Sequence, residues 1–166
     1  IEGGAVAIVS QRPAPPDVHV RWVVVEDARL ALALLAAAFH RHPSADMQVV
    51  GITGTNGKTT TAHLIASMFE AANIRCGVLG TVGYRIGDDV REAPQTTPEA
   101  PQTQGLLREM VDRGCGACAI EVSSHALSLR RVDAVTFAAG VFTNLTRDHL
   151  DFHADMEAYF QAKRRL

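Results

Sequence analysis

The ten residues from 51 to 60, Gly-Ile-Thr-Gly-Thr-Asn-Gly-Lys-Thr-Thr, constrain the fold more than any other stretch of the chain. An apolar run (Met47, Val49, Val50, Ile52) leads into them, and a helix-compatible stretch from Thr60 to Ala72 leaves them. Strand, glycine loop and helix in that order describe a phosphate-binding loop. Glycines at 54 and 57 let successive N–H groups turn toward phosphate oxygens, where a side chain would block approach. The start of the following helix adds positive partial charge. Lys58 can then reach the terminal phosphates and the Thr59 hydroxyl can sit on a magnesium ion. The usual first glycine, six residues before the lysine, is replaced by Ile52, with Gly51 one step earlier. The loop predicts a nucleoside triphosphate as ligand.

Around this loop the pattern alternates. The sequence predicts a strand over 47–53, a helix over 59–72, and β-like runs at 76–81 and 83–86 joined to a Gly-Asp-Asp turn at 87–89. A helix over 99–113, strands at 117–122 and 137–143, and a last helix from near Asp155 follow. This predicts an α/β fold with a mostly parallel sheet covered on both faces. Residues 1–46 read differently, with short β-like runs at 5–10 and 20–25 flanking a Pro-rich loop. Asp27 caps a helix over 28–41, which Pro43 closes; nearly all-round apolar, it is expected to pack on two sides. The boundary between the two parts is placed at 46/47. The chain starts at Ile1 and stops inside a helical pattern, which reads as a piece of a longer polypeptide.

Composition removes several classes. The formal net charge of −2 carries no footprint for nucleic acid. The longest apolar stretch, 30–39, is too short to cross a membrane, and no signal peptide is read. Three cysteines fit a reducing compartment, and the Cys115/Cys118 pair enters a buried strand, which argues against redox or metal work.

Parallel α/β sheets gather ligands at the carboxyl ends of their strands. The run Ala117–Val122 delivers Glu121, Ser123, Ser124 and His125 to such an end, and a buried Glu beside a phosphate loop suits the nucleotide's metal ion; capping the next helix is the alternative. After the 137–143 strand, Asp148, His149, Asp151 and His153 crowd together. His149 and His153 could share one metal if the segment were helical; an Asp/His mixture suits magnesium or manganese shared with phosphate better than zinc. A polar loop of hydrogen-bonded histidines is the alternative. Thr96 and Thr97 precede a helix start, where they either meet an anion or cap the helix. His40 and His42 are expected to meet the last carbonyls of their helix. Lys163, Arg164 and Arg165 read as a solvated helix end.

Taken in order, the loop, Thr-Thr-Pro-Glu at 96–99, Glu-Val-Ser-Ser-His at 121–125 and Thr-Asn-Leu-Thr-Arg-Asp-His-Leu-Asp-Phe-His at 143–153 resemble the Mur ligases, and within them the MurE type. The resemblance runs from about residue 3 to the end. It implies that 1–46 is the C-terminal part of a UDP-binding domain and 47–166 most of the central ATP-binding domain, a third domain being absent. It implies ATP and Mg²⁺ as cofactors, UDP-MurNAc-L-Ala-D-Glu and a diamino acid (meso-diaminopimelate or L-lysine) as substrates, and a monomer in the bacterial cytoplasm. Gly54, Thr55, Asn56, Gly57, Lys58, Thr59 and Thr60 would cradle ATP, with Lys58 catalytic. Thr59 and Glu121 would hold Mg²⁺, His149 a second ion. Thr96, Thr97, Ser123 and Arg131 would contact the muramoyl dipeptide. Lys163 would be carbamylated, although its place three residues from the end predicts a frayed helix. Leu129 stands where some members carry a polar substrate contact. A folylpolyglutamate synthase-like ligase, or a nucleotide-binding module without turnover, are the other readings.

Overall fold

The computed structural model describes residues 4–166; the first three residues of the 1–46 segment lie outside the described residues. Three of the central strands are almost wholly apolar, which is what burial on both faces requires. These are β3 (Gln48–Thr53), β4 (Cys76–Leu79) and β7 (Ala117–Glu121). They form a six-stranded sheet with β5 (Tyr84–Ile86), β6 (Asp89–Arg91) and β8 (Ala139–Phe142), in the order β6-β5-β4-β7-β3-β8. Strands β4, β7, β3 and β8 are parallel, while β5 and β6 fold back antiparallel at one edge. The β6 strand was not expected from the sequence; its ladder starts at Asp89, inside the predicted turn.

Side chains alternate across the sheet and so divide the core in two. On one face Val50, Ile52, Val78 and Ala119 pack under α2 (Lys58–Ala71), whose Ala62 and Ala66 permit close approach. On the other, Val49, Cys118 and Ile120 pack with Leu106, Leu107 and Met110 of α3 (Ala100–Asp112) and with Ala126 and Leu127 of the short α4 (Ser124–Ser128). Register then sets the site. Ile52 lies opposite Glu121, Thr53 opposite Phe142 and Leu79 opposite Ile120, so four strands release their chains at one edge.

The N-terminal part is a two-stranded parallel pair, β1 (Ala7–Ser10) and β2 (Arg21–Val24), followed by α1 (Ala28–Phe39). Asp27 caps α1 as expected, accepting from the N–H groups of Arg29 and Leu30. The expectation of packing on two sides is corrected. Ala33, Ala36 and Ala37 are buried and α1 meets α3, whereas Leu34 and Phe39 stay 53% and 82% exposed. Alanines on one stripe allow close helix contact; the leucines project from the remaining faces. The last carbonyls of α1 do meet the expected histidines, through the backbone: the His40 N–H bonds Ala36 O (3.0 Å) and the His42 N–H bonds Ala37 O (2.7 Å). Arg108 of α3 donates to His40 O (3.0 Å) and Arg41 O (3.1 Å), and pairs with Asp46.

Candidate functional site

The loop between β3 and α2 is shaped by its two glycines. Gly54 has φ +142°, and a Cβ there would lie 1.9 Å from Thr143 Oγ1. Gly57 has φ +83° and opens α2, which has neither a side-chain cap nor an acidic residue in its first turn. The orphan N–H groups of that turn are therefore left for an anion. Ile52 and Gly51 are not part of the loop. Ile52 is core, and Gly51 is a packing glycine, since a Cβ would meet Leu166 and Phe137 within 3 Å.

The segment after β8 straps this loop down. Thr143 Oγ1 donates to Asn56 O (2.7 Å), and the Asn144 amide both receives the Asn56 N–H (3.0 Å) and donates to Asn56 O (3.1 Å). Thr55 Oγ1 accepts from Thr146 N (3.0 Å) and lies 3.1 Å from the Tyr159 hydroxyl. Lys58 Nζ folds back onto Gly54 O and Thr55 O, both at 2.9 Å. Burial holds its pKa below the ordinary lysine value, opposed by the charges of Glu121 and Asp148. Thr59 is half-buried in the first turn of α2, and Asn56 and Thr60 are exposed.

Lys163 overturns its reading as a solvated helix end. Helix α5 (Met156–Lys163), capped by Asp155, lies back across the strand ends and leaves Lys163 only 2% exposed. Its Nζ donates to the same Gly54 O at 2.9 Å and stands 4.5 Å from the centre of the Tyr159 ring. Burial, reinforced by the Lys58 charge, lowers its pKa to about 8, with Asp148 opposing. The predicted fraying is absent: Arg164, Arg165 and Leu166 each donate a backbone N–H to α5, and Arg165 also reaches Leu127 O and Asp133.

At the next strand end Glu121 is 1% exposed and accepts from Thr81 N (3.0 Å) and Thr81 Oγ1 (3.2 Å). Gly80 makes this approach possible, because a Cβ there would lie 2.1 Å from the carboxylate. Thr97 Oγ1 donates to Glu121 O (2.8 Å) and accepts from Ser123 N (3.1 Å). Thr96 Oγ1 sits 3.1 Å from Thr81 Oγ1. Arg131 ties this wall together through Gln95, Thr97 O and Glu99, leaving its Nε buried and without a partner among the described residues. Ser123 does cap α4, through Ala126 N, and Leu129 ends that helix half-buried. Thus Thr96, Thr97, Ser123, Arg131 and Glu121 form one polar wall beside the glycine loop.

The histidine-rich segment is a turn, which excludes the shared helical metal pair. His149 has φ +53° and its N–H bonds the Asp148 carboxylate, while His153 Nε2 lies 2.9 Å from Ser124 Oγ, buried. The His149 ring stands perpendicular to His125, centroids 5.0 Å apart. Burial lowers the pKa of both His125 and His153, with neighbouring histidines adding to it. Among the described residues no three His, Cys, Asp or Glu side chains converge on a metal position. Thr59 and Glu121 are hard oxygen donors of the kind Mg²⁺ accepts, with phosphate and water completing its shell, so the residues fit that ion. Cys115 and Cys118 are buried thiols in the core. Thr81, Thr143, Asn144, His125 and Tyr159 carry contacts that sequence reasoning did not assign. Tyr159 was findable, lying four residues before Lys163 and hence on the same helix face.

Residues 52–166 match the profile of the Mur ligase middle domain. The chain is 53% identical over 163 residues to the UDP-N-acetylmuramoyl-L-alanyl-D-glutamate–2,6-diaminopimelate ligase of Geobacter metallireducens, covering 98% of this chain and 32% of that protein. It is 50% identical to the ligase of the same name from Chlorobaculum tepidum, covering 100% and 33%. The chain thus spans about a third of the length of the curated relatives it matches. A solved structure of a ligase of that name superposes with a TM-score of 0.83 at 32% identity, covering 99% of this chain and 33% of the other. A MurF ligase from Thermotoga maritima, solved in complex with ADP, shares the fold at TM-score 0.55 and 22% identity, covering 99% and 34%.

Proposed function

The chain belongs to the Mur ligase family, and from that premise we propose that it is the ATP-binding core of an ADP-forming ligase. The proposed enzyme joins a diamino acid to the D-glutamate of UDP-MurNAc-L-Ala-D-Glu in bacterial peptidoglycan synthesis, in the cytoplasm. Residues 47–166 are read as its central domain and 1–46 as the tail of its UDP-binding domain. One observation carries the reading: a glycine loop opens an uncapped helix and holds two lysines on Gly54 O, one strand away from a buried glutamate.

Residues 54–60 surround the phosphates of ATP in this reading. Lys58 leaves Gly54 O and Thr55 O to follow the γ-phosphoryl group, neutralising charge as it passes to the γ-carboxylate of D-glutamate. The product is an acyl phosphate. The amine of the diamino acid attacks its carbonyl carbon, phosphate leaves with the bonding pair, and the amine gives up a proton to form the amide. Thr59 and Glu121 are the proposed Mg²⁺ ligands and His149 the ligand of a second ion; such ions neutralise phosphoryl charge and orient the acyl phosphate. Thr96, Thr97, Ser123 and Arg131 offer hydroxyls and a guanidinium to the anionic dipeptide. Lys163 is read as carbamylated: a buried amine with a pKa near 8 is partly neutral, the form that takes up CO₂.

The names of the 50–53% identical relatives favour diaminopimelate over L-lysine as acceptor. Incubating the full-length ligase with ATP, Mg²⁺, UDP-MurNAc-L-Ala-D-Glu and each amino acid separately, then weighing the product, tests the proposal. A muramoyl tripeptide carrying diaminopimelate is expected. No phosphate release with either acceptor contradicts it.

A further inference from the structure

Thr53, the last residue of β3, is 1% exposed, and its Oγ1 has no hydrogen-bond partner among the described residues. Such a group destabilises the fold unless something else satisfies it. Strand alternation turns Thr53 away from Ile52, which packs under α2, and onto the face of Gly51, where Leu166 lies. There Thr53, Phe142, Lys163 and Leu166 border a common cavity of about 290 Å³. The next residue, Gly54, offers the carbonyl on which Lys163 Nζ rests.

A carbamate on that amine matches this arrangement. Neutral Nζ attacks the carbon of dissolved CO₂, one C=O pair moves onto oxygen, and an N–H proton leaves to solvent, giving N–COO⁻. One N–H remains and keeps the bond to Gly54 O. Two new anionic oxygens appear and need donors. The neighbouring hydroxyl that lacks an acceptor is Thr53.

We propose that the Thr53 hydroxyl is a hydrogen-bond donor to a carbamate on Lys163, and so a positioning residue for that group. The proposal rests on the carbamate reading of Lys163 given above. Its chemistry separates it from an ordinary packing role. Thr53→Val keeps the shape and removes an unsatisfied group, so unmodified protein does not lose stability. What it loses is the carbamate.

The test uses the full-length ligase equilibrated with ¹³C-bicarbonate, with the carbamate carbon followed by ¹³C NMR and Lys163→Met defining which signal belongs to the site. Wild type and Thr53→Ser are expected to show the signal at similar bicarbonate concentrations. Thr53→Val, and Thr53→Ala should the valine variant not fold, are expected to need about ten-fold more bicarbonate for half occupancy, the worth of one hydrogen bond to a charged group. Thermal unfolding of Thr53→Val in CO₂-free buffer is expected at or above the wild-type temperature. A wild-type signal matched by Thr53→Val and Thr53→Ala at equal bicarbonate overturns the role of Thr53 and leaves the carbamate standing. No Lys163-dependent signal in wild type removes the carbamate reading, and the role of Thr53 with it.

Discussion

Replacing Gly54 by alanine tests how the phosphate loop is built. The new Cβ would stand 1.9 Å from Thr143 Oγ1 and 3.1 Å from Asn144 N and O, at a backbone φ of +142°. Holding a residue with a side chain in such a conformation costs about 1–3 kcal/mol. Relieving the overlap forces Thr143 to rotate, and its hydroxyl then gives up the bond its one hydrogen makes to Asn56 O (2.7 Å). At about 1 kcal/mol for that bond, the variant loses roughly 2–4 kcal/mol in total. Thr143→Ala alone loses only the bond, about 1 kcal/mol. In the double variant the bond is already gone and the overlap is absent, so it too loses roughly 2–4 kcal/mol rather than the roughly 3–5 of simple addition. Urea unfolding of the four proteins, at unchanged m-value, yields the coupling directly. A coupling of about 1 kcal/mol is expected; additivity within about 0.3 kcal/mol would refute the Gly54–Thr143 contact as the reason for glycine.

Three further outcomes follow from the same geometry. Lys163 titrates at about 8 in the folded protein against an ordinary 10.5. Below pH 8 both states hold the proton; between 8 and 10.5 the unfolded chain binds more, so stability rises with pH, by about 3 kcal/mol in all. Lys163→Met, compared by unfolding in CO₂-free buffers, is expected to lose that rise, and identical pH profiles would contradict the burial of a free amine. Asp155→Ala removes the side chain that accepts Ala158 N at 2.8 Å and is expected to lower stability by about 1 kcal/mol in a thermal melt. Glu121→Gln is expected to abolish the gain in nucleotide affinity on adding Mg²⁺ while leaving metal-free ADP binding within about three-fold, measured by calorimetry; an intact Mg²⁺ effect removes Glu121 from the ion site.

The glycine loop between β3 and α2 was legible because its signal is local: small residues at set spacing between an apolar strand and a helix. The parallel sheet was equally legible in apolar runs such as Ala117–Ile120. Lys163 was not, because its burial arises from α5 folding back to a carbonyl 109 residues earlier in the chain, and a basic helix end looks solvated until that packing is known. The strap from Thr143 and Asn144 is long-range in the same way, spanning 87 and 88 residues to Asn56. The histidine turn misled differently. Four-residue spacing suggests a shared helix face, but the αL conformation at His149 sends His153 to Ser124 instead. In α1 the apolar count was right and its consequence wrong, since Ala33, Ala36 and Ala37 are buried while Leu32, Leu34 and Leu35 stay exposed.

Calorimetric titration of ATP with Mg²⁺ into wild type and Lys58→Ala tests the central claim most directly. A phosphate loop at 54–60 predicts saturable one-to-one binding that weakens at least ten-fold when the ammonium held by Gly54 O and Thr55 O is removed. Equal affinity in both proteins, or no binding to wild type, contradicts the assignment of this loop to the phosphates.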